Sequence, residues 1–259
     1  MRPAHNLALN HSMQLSRKHL PMILKDNGLH TLHGKKKIQH ILAYYKFPLV
    51  ILCILLYFIG YRIYGYLTHK DVLLYTALVN VTTGETLTES LKKDFLNHLD
   101  ADTSAEKIEL YTGLYLTDNE LNAWHEYTYA SRMKILAAVE GQLLDVVLMN
   151  KEAFDAFSQN GYLYDLDILL SANDSDLYKT LKPTLVSNII ILEDNADDLA
   201  LDPSLPYQAV TQEHFYGLDL SETNLIRQAG FKDTVYLGVI ANTPRIEITI
   251  QYIKWITNK

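Results

Sequence analysis

A single cysteine, Cys53, is present in 259 residues, and it falls inside the most apolar stretch of the chain. Everything outside that stretch therefore lacks disulfides, a catalytic thiol and thiolate metal ligands. Only one long uncharged apolar run occurs, Phe47 to Tyr61 (FPLVILCILLYFIGY), which excludes a multi-span channel or transporter from this chain alone. There is no Gly-x-Ser-x-Gly, no P-loop and no Gly-x-Gly-x-x-Gly. Nothing pairs a nucleophile with a base, so the expectation is a non-catalytic protein with no cofactor. Acids are almost missing before the apolar run and bases are scarce after it. Residues 1–46 hold eight Lys or Arg against Asp26, a net of +7, whereas residues 68–259 hold 14 Lys or Arg against 29 acids, a net of −15. The overall −7 conceals two opposed halves.

Continued to Leu67, the apolar run reaches 21 residues with Arg62 as its only charge. About 20 residues at ~1.5 Å rise span a hydrocarbon core of about 30 Å. Lys46 and Arg62 are long enough to reach the two interfaces, and Tyr44, Tyr45, Tyr61, Tyr64 and Tyr66 supply amphipathic rings at headgroup depth. The stretch 47–67 reads as a transmembrane helix in the lipid bilayer. By the positive-inside rule the 1–46 tail stays cytoplasmic and the acidic 68–259 domain lies outside the cell membrane. A cleaved secretory signal is the rival reading, but its basic region would fill residues 1–46, and Gly60-Tyr61-Arg62 is no small-x-small cleavage site. A buried core helix, the third reading, leaves the flanking charges and the tyrosine belt unexplained. In the tail, His30-x-x-His33 has a tolerable ligand spacing, yet no cysteine or second pair frames it, and no metal is assigned. The Lys35-Lys36-Lys37 run abuts the membrane and reads as a topology signal and anionic-lipid contact rather than a nucleic-acid patch.

The outer segment alternates strand and helix patterns. Leu73 to Val81 is a near-continuous apolar run suited to a central parallel strand. Leu87, Leu91, Phe95 and Leu99 then recur every four residues, a helical face. Lys107 to Leu116 is the second strand, followed by a helix capped at Asp118 and reaching Glu140. Leu144 to Asn150 is the third strand, and Lys151 to Gln159 a helix with Phe154 and Phe157 on one face. Beyond it the pattern predicts a helix over 176–185, a strand over 188–192 and an acidic loop over 193–206. A short strand near 208–211, a helix over 220–229, a strand over 235–240 and a helix over 245–256 finish the chain. Such alternation predicts an α/β fold with a parallel sheet and right-handed crossovers.

Three segments resemble the type II bacterial extracellular solute-binding proteins, in a small membrane-anchored form found in Gram-positive anaerobes. Arg132 to Leu166 is similar to their succession of helix, Gly turn, Asp-led strand and acidic-aromatic helix. Tyr236 to Ile256 resembles their last strand, Ser/Asn turn and C-terminal helix. HILAYYKFPLVI, with HKDVLLYTALVNV after the span, resembles the anchored subgroup. The resemblance covers about residues 40–256 and implies a periplasmic-binding-protein-like domain that captures or senses a small molecule, alone or within a membrane transport or envelope complex. It departs in one respect: the stretch left for a second lobe, about 163–230, is short, implying a reduced lobe. A structural envelope protein that binds a partner and no small ligand is the alternative.

In open α/β sheets ligands lie beyond the carboxyl ends of strands. The rule points to Asn80, Thr82, Thr83 and Gly84 after the first strand, residues 117–119 after the second, and Met149, Asn150 and Lys151 after the third. The Thr82-Thr83-Gly84 turn is either a plain helix cap or a cradle for an anion, with Gly84 allowing close backbone approach. Tyr216 and Asn242 are expected to approach from the return segments. Tyr127, Tyr129, Tyr162, Tyr164 and Tyr216 suit a sugar or peptide cleft or a half-buried packing role. His125-Glu126 opens like a zincin motif, but Tyr129 stands where the second His belongs. The acids Glu193, Asp194, Asp197, Asp198 and Asp202 lack EF-hand spacing and read as a solvated loop rather than a calcium site.

Overall fold

The computed structural model describes residue 34 and residues 46–117 and 125–258. The chain divides into two units, residues 1–67 and 68–259. In the first, Leu, Ile and aromatic residues form one helix, α1 (Lys46–Thr68). Pro48 is tolerated because it falls in the first turn, where its missing N–H has no helical partner to lose. The Lys46–Tyr66 stretch of α1 is long and apolar enough to cross a membrane, and none of it is buried within the chain. The basic tail, its histidines and the three-lysine run lie outside the described residues apart from Gly34.

In the second unit, six strands form one mixed sheet in the order β2-β1-β3-β6-β5-β4. Strand β1 (Asp71–Val79) occupies the first apolar run, and its last four residues are fully buried. It leads into α2 (Glu85–Glu89), which passes through a π-helical turn (Ser90–Asp94) into α3 (Phe95–His98). An apolar spacing of four gains about 40° per step on an ideal helix of 3.6 residues per turn. The wider π turn takes up that drift and keeps Leu87, Leu91 and Phe95 on the buried face. Strand β2 (Glu106–Leu114) follows, then α4 (Glu126–Glu140), β3 (Val146–Met149) and α5 (Lys151–Gln159). Both β2 and β3 pair with β1 in parallel. Helix α2 packs on one face of the sheet and α4 on the other. Because the two crossovers also run in opposite directions along the sheet, they share one hand, as the twist of parallel strands demands.

Beyond α5 the expected parallel order fails. Helices α6 (Leu166–Asn173) and α7 (Ser175–Leu181) cover the face that α2 covers. Strand β4 (Leu185–Asp194) then enters at the far edge, passes through the short helix α8 (Ala196–Leu201), and returns as β5 (Ala209–Asp219), antiparallel to it. After α9 (Asn224–Ala229), strand β6 (Tyr236–Val239) inserts between β3 and β5, antiparallel to both. Helix α10 (Ile246–Asn258) closes the chain on the α2 face. Residues 163–230, expected to make a reduced second lobe, thus extend the same sheet. The helix expected over 176–185 is α7, continued by a 3-10 turn (Lys182–Thr184), whereas α6 before it was not expected; each of the two helices is capped by an Asp, Asp165 and Asp174. Helix α4 starts at His125, whose Nδ1 accepts from the Tyr127 N–H at 3.4 Å; Asp118, the expected cap, lies outside the described residues.

Phe154 of α5 fixes how closely that helix approaches the sheet. Its ring lies over Gly217 of β5, where an added Cβ would stand 2.6 Å from it, and stacks on Tyr236 of β6 at 4.9 Å. At the amino edge of β3, the buried carboxylate of Asp145 ties three segments together. It accepts from the Tyr75 N–H at 2.8 Å, from the Thr243 hydroxyl and from Arg245 Nη1 at 3.2 Å. The Arg245 guanidinium also lies over the Tyr75 ring at 4.6 Å. A buried carboxylate is tolerated only with such partners.

Candidate functional site

Strands β1 and β3 are neighbours, yet the chain leaves their carboxyl ends toward opposite faces. β1 feeds α2 on one face and β3 feeds α5 on the other, so the two connections part and leave a crevice at the switch point. A cleft of about 660 Å³ lies there. Its floor is set by Asn80, the first residue past β1, which adopts φ +57°. A left-handed backbone suits asparagine better than most residues. The Asn80 amide acts as an extra rung between strand ends: Oδ1 accepts from Leu116 N–H at 2.8 Å, and Nδ2 donates to Leu116 O at 2.7 Å and to Asn150 Oδ1 at 3.1 Å. Asn150 in turn caps α5, accepting from Ala153 N–H at 3.0 Å. One pair of asparagines therefore locks the ends of β1, β2 and β3 together.

Of the expected site residues, Thr82, Thr83 and Asn150 line this cleft. Thr83 does not cap α2; its Oγ1 sits 3.0 Å from the Thr88 hydroxyl. Gly84 is the N-cap, without a side-chain bond, at φ −76° and ψ 169°, and an added Cβ would meet nothing within 4 Å. Neither a left-handed backbone nor a close neighbour within the protein requires glycine there. Tyr216 is buried in the apolar cluster beneath α5 and does not line the cleft. Asn242 lies at the opposite edge of the sheet, donating to Val139 O at 2.8 Å, because antiparallel β6 delivers its carboxyl end there. Residues 118 and 119 lie outside the described residues.

The sequence did not single out Thr88, Thr112, Tyr115 and Glu152, which also line the cleft. Glu152 belongs to the first turn of α5 and accepts from the Thr117 hydroxyl at 2.6 Å. Of the five tyrosines considered for a ligand cleft, only Tyr127 is there, its hydroxyl donating to Gly113 O. Among the described lining residues no Lys, Arg or His occurs, and Glu152 adds negative charge. Hydroxyls, two amides and two partly exposed phenol rings are the chemistry on offer. That lining disfavours the anion-cradle alternative and suits a neutral polar solute. A second hollow, of about 550 Å³ between the π turn and α9, is walled by Glu89, Ser90 and Asp94 and stands away from the strand ends. Among the described residues no group of three or more His, Cys, Asp or Glu is placed to hold a metal ion, and the acidic residues 193–202 form α8 and its flanks. No protein-family model matches the chain. No curated protein matches it significantly either.

Proposed function

We propose that this chain is a membrane-tethered, extracytoplasmic binding protein without catalytic activity, whose cleft at the carboxyl ends of β1 and β3 takes a small, neutral, polar solute. In this reading α1 is a single-pass anchor with residues 1–46 in the cytoplasm, supported by its length, its apolar character and the net +7 of residues 1–46. The outer domain is a reduced relative of the type II extracellular solute-binding proteins, supported by the residue patterns over 132–166 and 236–256. The observation that carries the proposal is the cleft at the switch point, the place where α/β sheets of this kind take their ligands. A partner-binding envelope protein with no small ligand is the second reading. It is favoured by one fact: Asn80, Asn150 and Thr83 already make bonds within the protein.

A thermal-shift series on the detergent-solubilised chain separates the two. Sugars, polyols, neutral amides, amino acids, peptides, phosphate and sulfate are added singly. A solute at ~100 times its Kd adds about 2.7 kcal/mol, enough to raise Tm by several degrees. A neutral solute is expected to do so, with the shift lost in Thr112→Val and Tyr127→Ala. Stabilisation by phosphate or sulfate alone would reverse the ligand class. A flat response across the panel would leave the partner-binding reading standing.

A further inference from the structure

Strands β4 and β5 pair over nine residue pairs, but β5 pairs with β6 only at Leu218 and Asp219. The distal half of the ribbon, Ile189 to Asp194 with Ala209 to Glu213, is an arm without a third strand among the described residues. An isolated two-stranded ribbon is marginal in water. Close to α5 the free edge of β4 is closed: Ser158 Oγ donates to Ile189 O at 2.6 Å, and Asn188 Oδ1 accepts from Ile189 N–H at 2.8 Å. Further out, a register shift at Leu192 interrupts the ladder.

The end of the arm is built rather than loose. Asn195 Oδ1 accepts from Gln208 N–H at 2.7 Å and its Nδ2 donates to Pro206 O at 3.0 Å. Asp202 Oδ1 accepts from the Ser204 N–H at 3.0 Å and hydroxyl at 2.7 Å, and the Tyr207 hydroxyl donates to Asp194 Oδ2 at 3.2 Å. Polar groups are satisfied inside, while large apolar side chains stay in solvent: Leu192, Leu201, Leu205, Tyr207 and Val210 are 41–87% exposed. Grouped exposure of this kind marks an interaction surface.

Charge selects the occupant. No Lys or Arg occurs between Lys182 and Arg227, while Glu193, Asp194, Asp197, Asp198, Asp202 and Glu213 all belong to the arm or its tip. Like charge opposes arm-to-arm pairing of two copies and approach to an anionic lipid surface. We infer that the β4–β5 arm docks a protein partner presenting an apolar face rimmed by Lys and Arg. Such a partner covers the leucines and pairs the acids at once, and steering by opposite charge speeds encounter. The inference does not depend on the solute cleft.

The test uses the full chain in nanodiscs of zwitterionic lipid, with hydrogen–deuterium exchange as the readout. The probes are synthetic peptides of alternating Lys and Leu, of alternating Glu and Leu, and of Lys alone. The Lys–Leu peptide is expected to slow exchange over residues 190–194 and 209–213 by about tenfold. Leu201→Asp with Tyr207→Asp, both at exposed positions, abolishes that protection, and so does Asp197→Lys with Asp198→Lys; unchanged exchange in β3 shows that each variant is folded. Equal protection by the Glu–Leu or the Lys-only peptide overturns the inference, as does protection confined to other segments. If arm exchange slows with protein concentration and no peptide, the occupant is a second copy and the inference also fails.

Discussion

Tyr252 of α10 sits at the centre of the larger apolar cluster, edge-on to Phe95 at 4.9 Å and tilted against Trp255 at 5.5 Å. Its ring contributes packing, but among the described residues its buried hydroxyl meets no hydrogen-bond partner. An unsatisfied buried polar group costs about 1–3 kcal/mol. Tyr252→Phe keeps the ring and removes that group, so it should stabilise the chain by about 1 kcal/mol at neutral pH, a Tm rise of about 2–4 °C. Burial also pushes the Tyr252 phenol far above its ordinary range. The pH dependence follows in sign. Above about pH 10 the unfolded phenol loses its proton while the folded one keeps it, so the unfolded state binds fewer protons and stability falls as pH rises. That loss is absent from Tyr252→Phe, and the gap in Tm between variant and parent should widen above pH 10 on the same thermal scans. A variant that melts below its parent at neutral pH would mean that the hydroxyl is satisfied after all.

At the scale of elements, β3 is the hinge of the whole arrangement, paired on one side with β1 and on the other with β6. Val147 is fully buried there, facing Ala77 and Gly238 across the two ladders. A carboxylate at this point has no partner, so Val147→Asp should destabilise by more than about 4 kcal/mol and leave little folded protein. Circular dichroism and a melting scan check it, and a parental Tm would contradict the central place of β3. This strand was legible in the sequence because four successive apolar residues between a helix and an Asn cap describe a strand buried on both faces. Helix α5 was legible to the residue for a similar reason, with Phe154 and Phe157 on one face and Asn150 before it. Direction was not legible. Tyr236–Val239, like Val146–Met149, is short and uncharged, and a buried strand carries the same pattern whichever way it runs, so β6 read as parallel and Asn242 went to the wrong edge. Most of β5 beyond the short strand expected near 208–211 was missed, because Gln212 and Glu213 lie in solvent and show no apolar alternation that would carry the strand on. Thr82, Thr83 and Asn150 line the cleft as the strand-end rule expects because that rule needs only the first three strands.

At the scale of the whole chain, a net of +7 over residues 1–46 stands against −15 over residues 68–259. A transmembrane helix is oriented by the Lys and Arg within about 15–20 residues of its ends. Lys35, Lys36, Lys37 and Lys46 fall within that reach on the amino side; on the other side Lys70 is the only Lys or Arg between Arg62 and Lys92. The expected outcome is therefore that a reporter active only outside the cytoplasm works when fused after Lys259, and that a cytoplasm-only reporter at the same point does not. Changing Lys35, Lys36, Lys37 and Lys46 together to Glu removes most of the bias and should shift part of the population to the inverted orientation. Processing separates the rival reading, because a cleaved signal would release a fragment lacking residues 1–67 into the medium, whereas an anchored chain stays with the membrane at full length. If protease added to intact cells reaches residues 68–259 only after lysis, the outer placement of the domain is wrong, and a cationic partner for the acidic arm has to be sought in the cytoplasm.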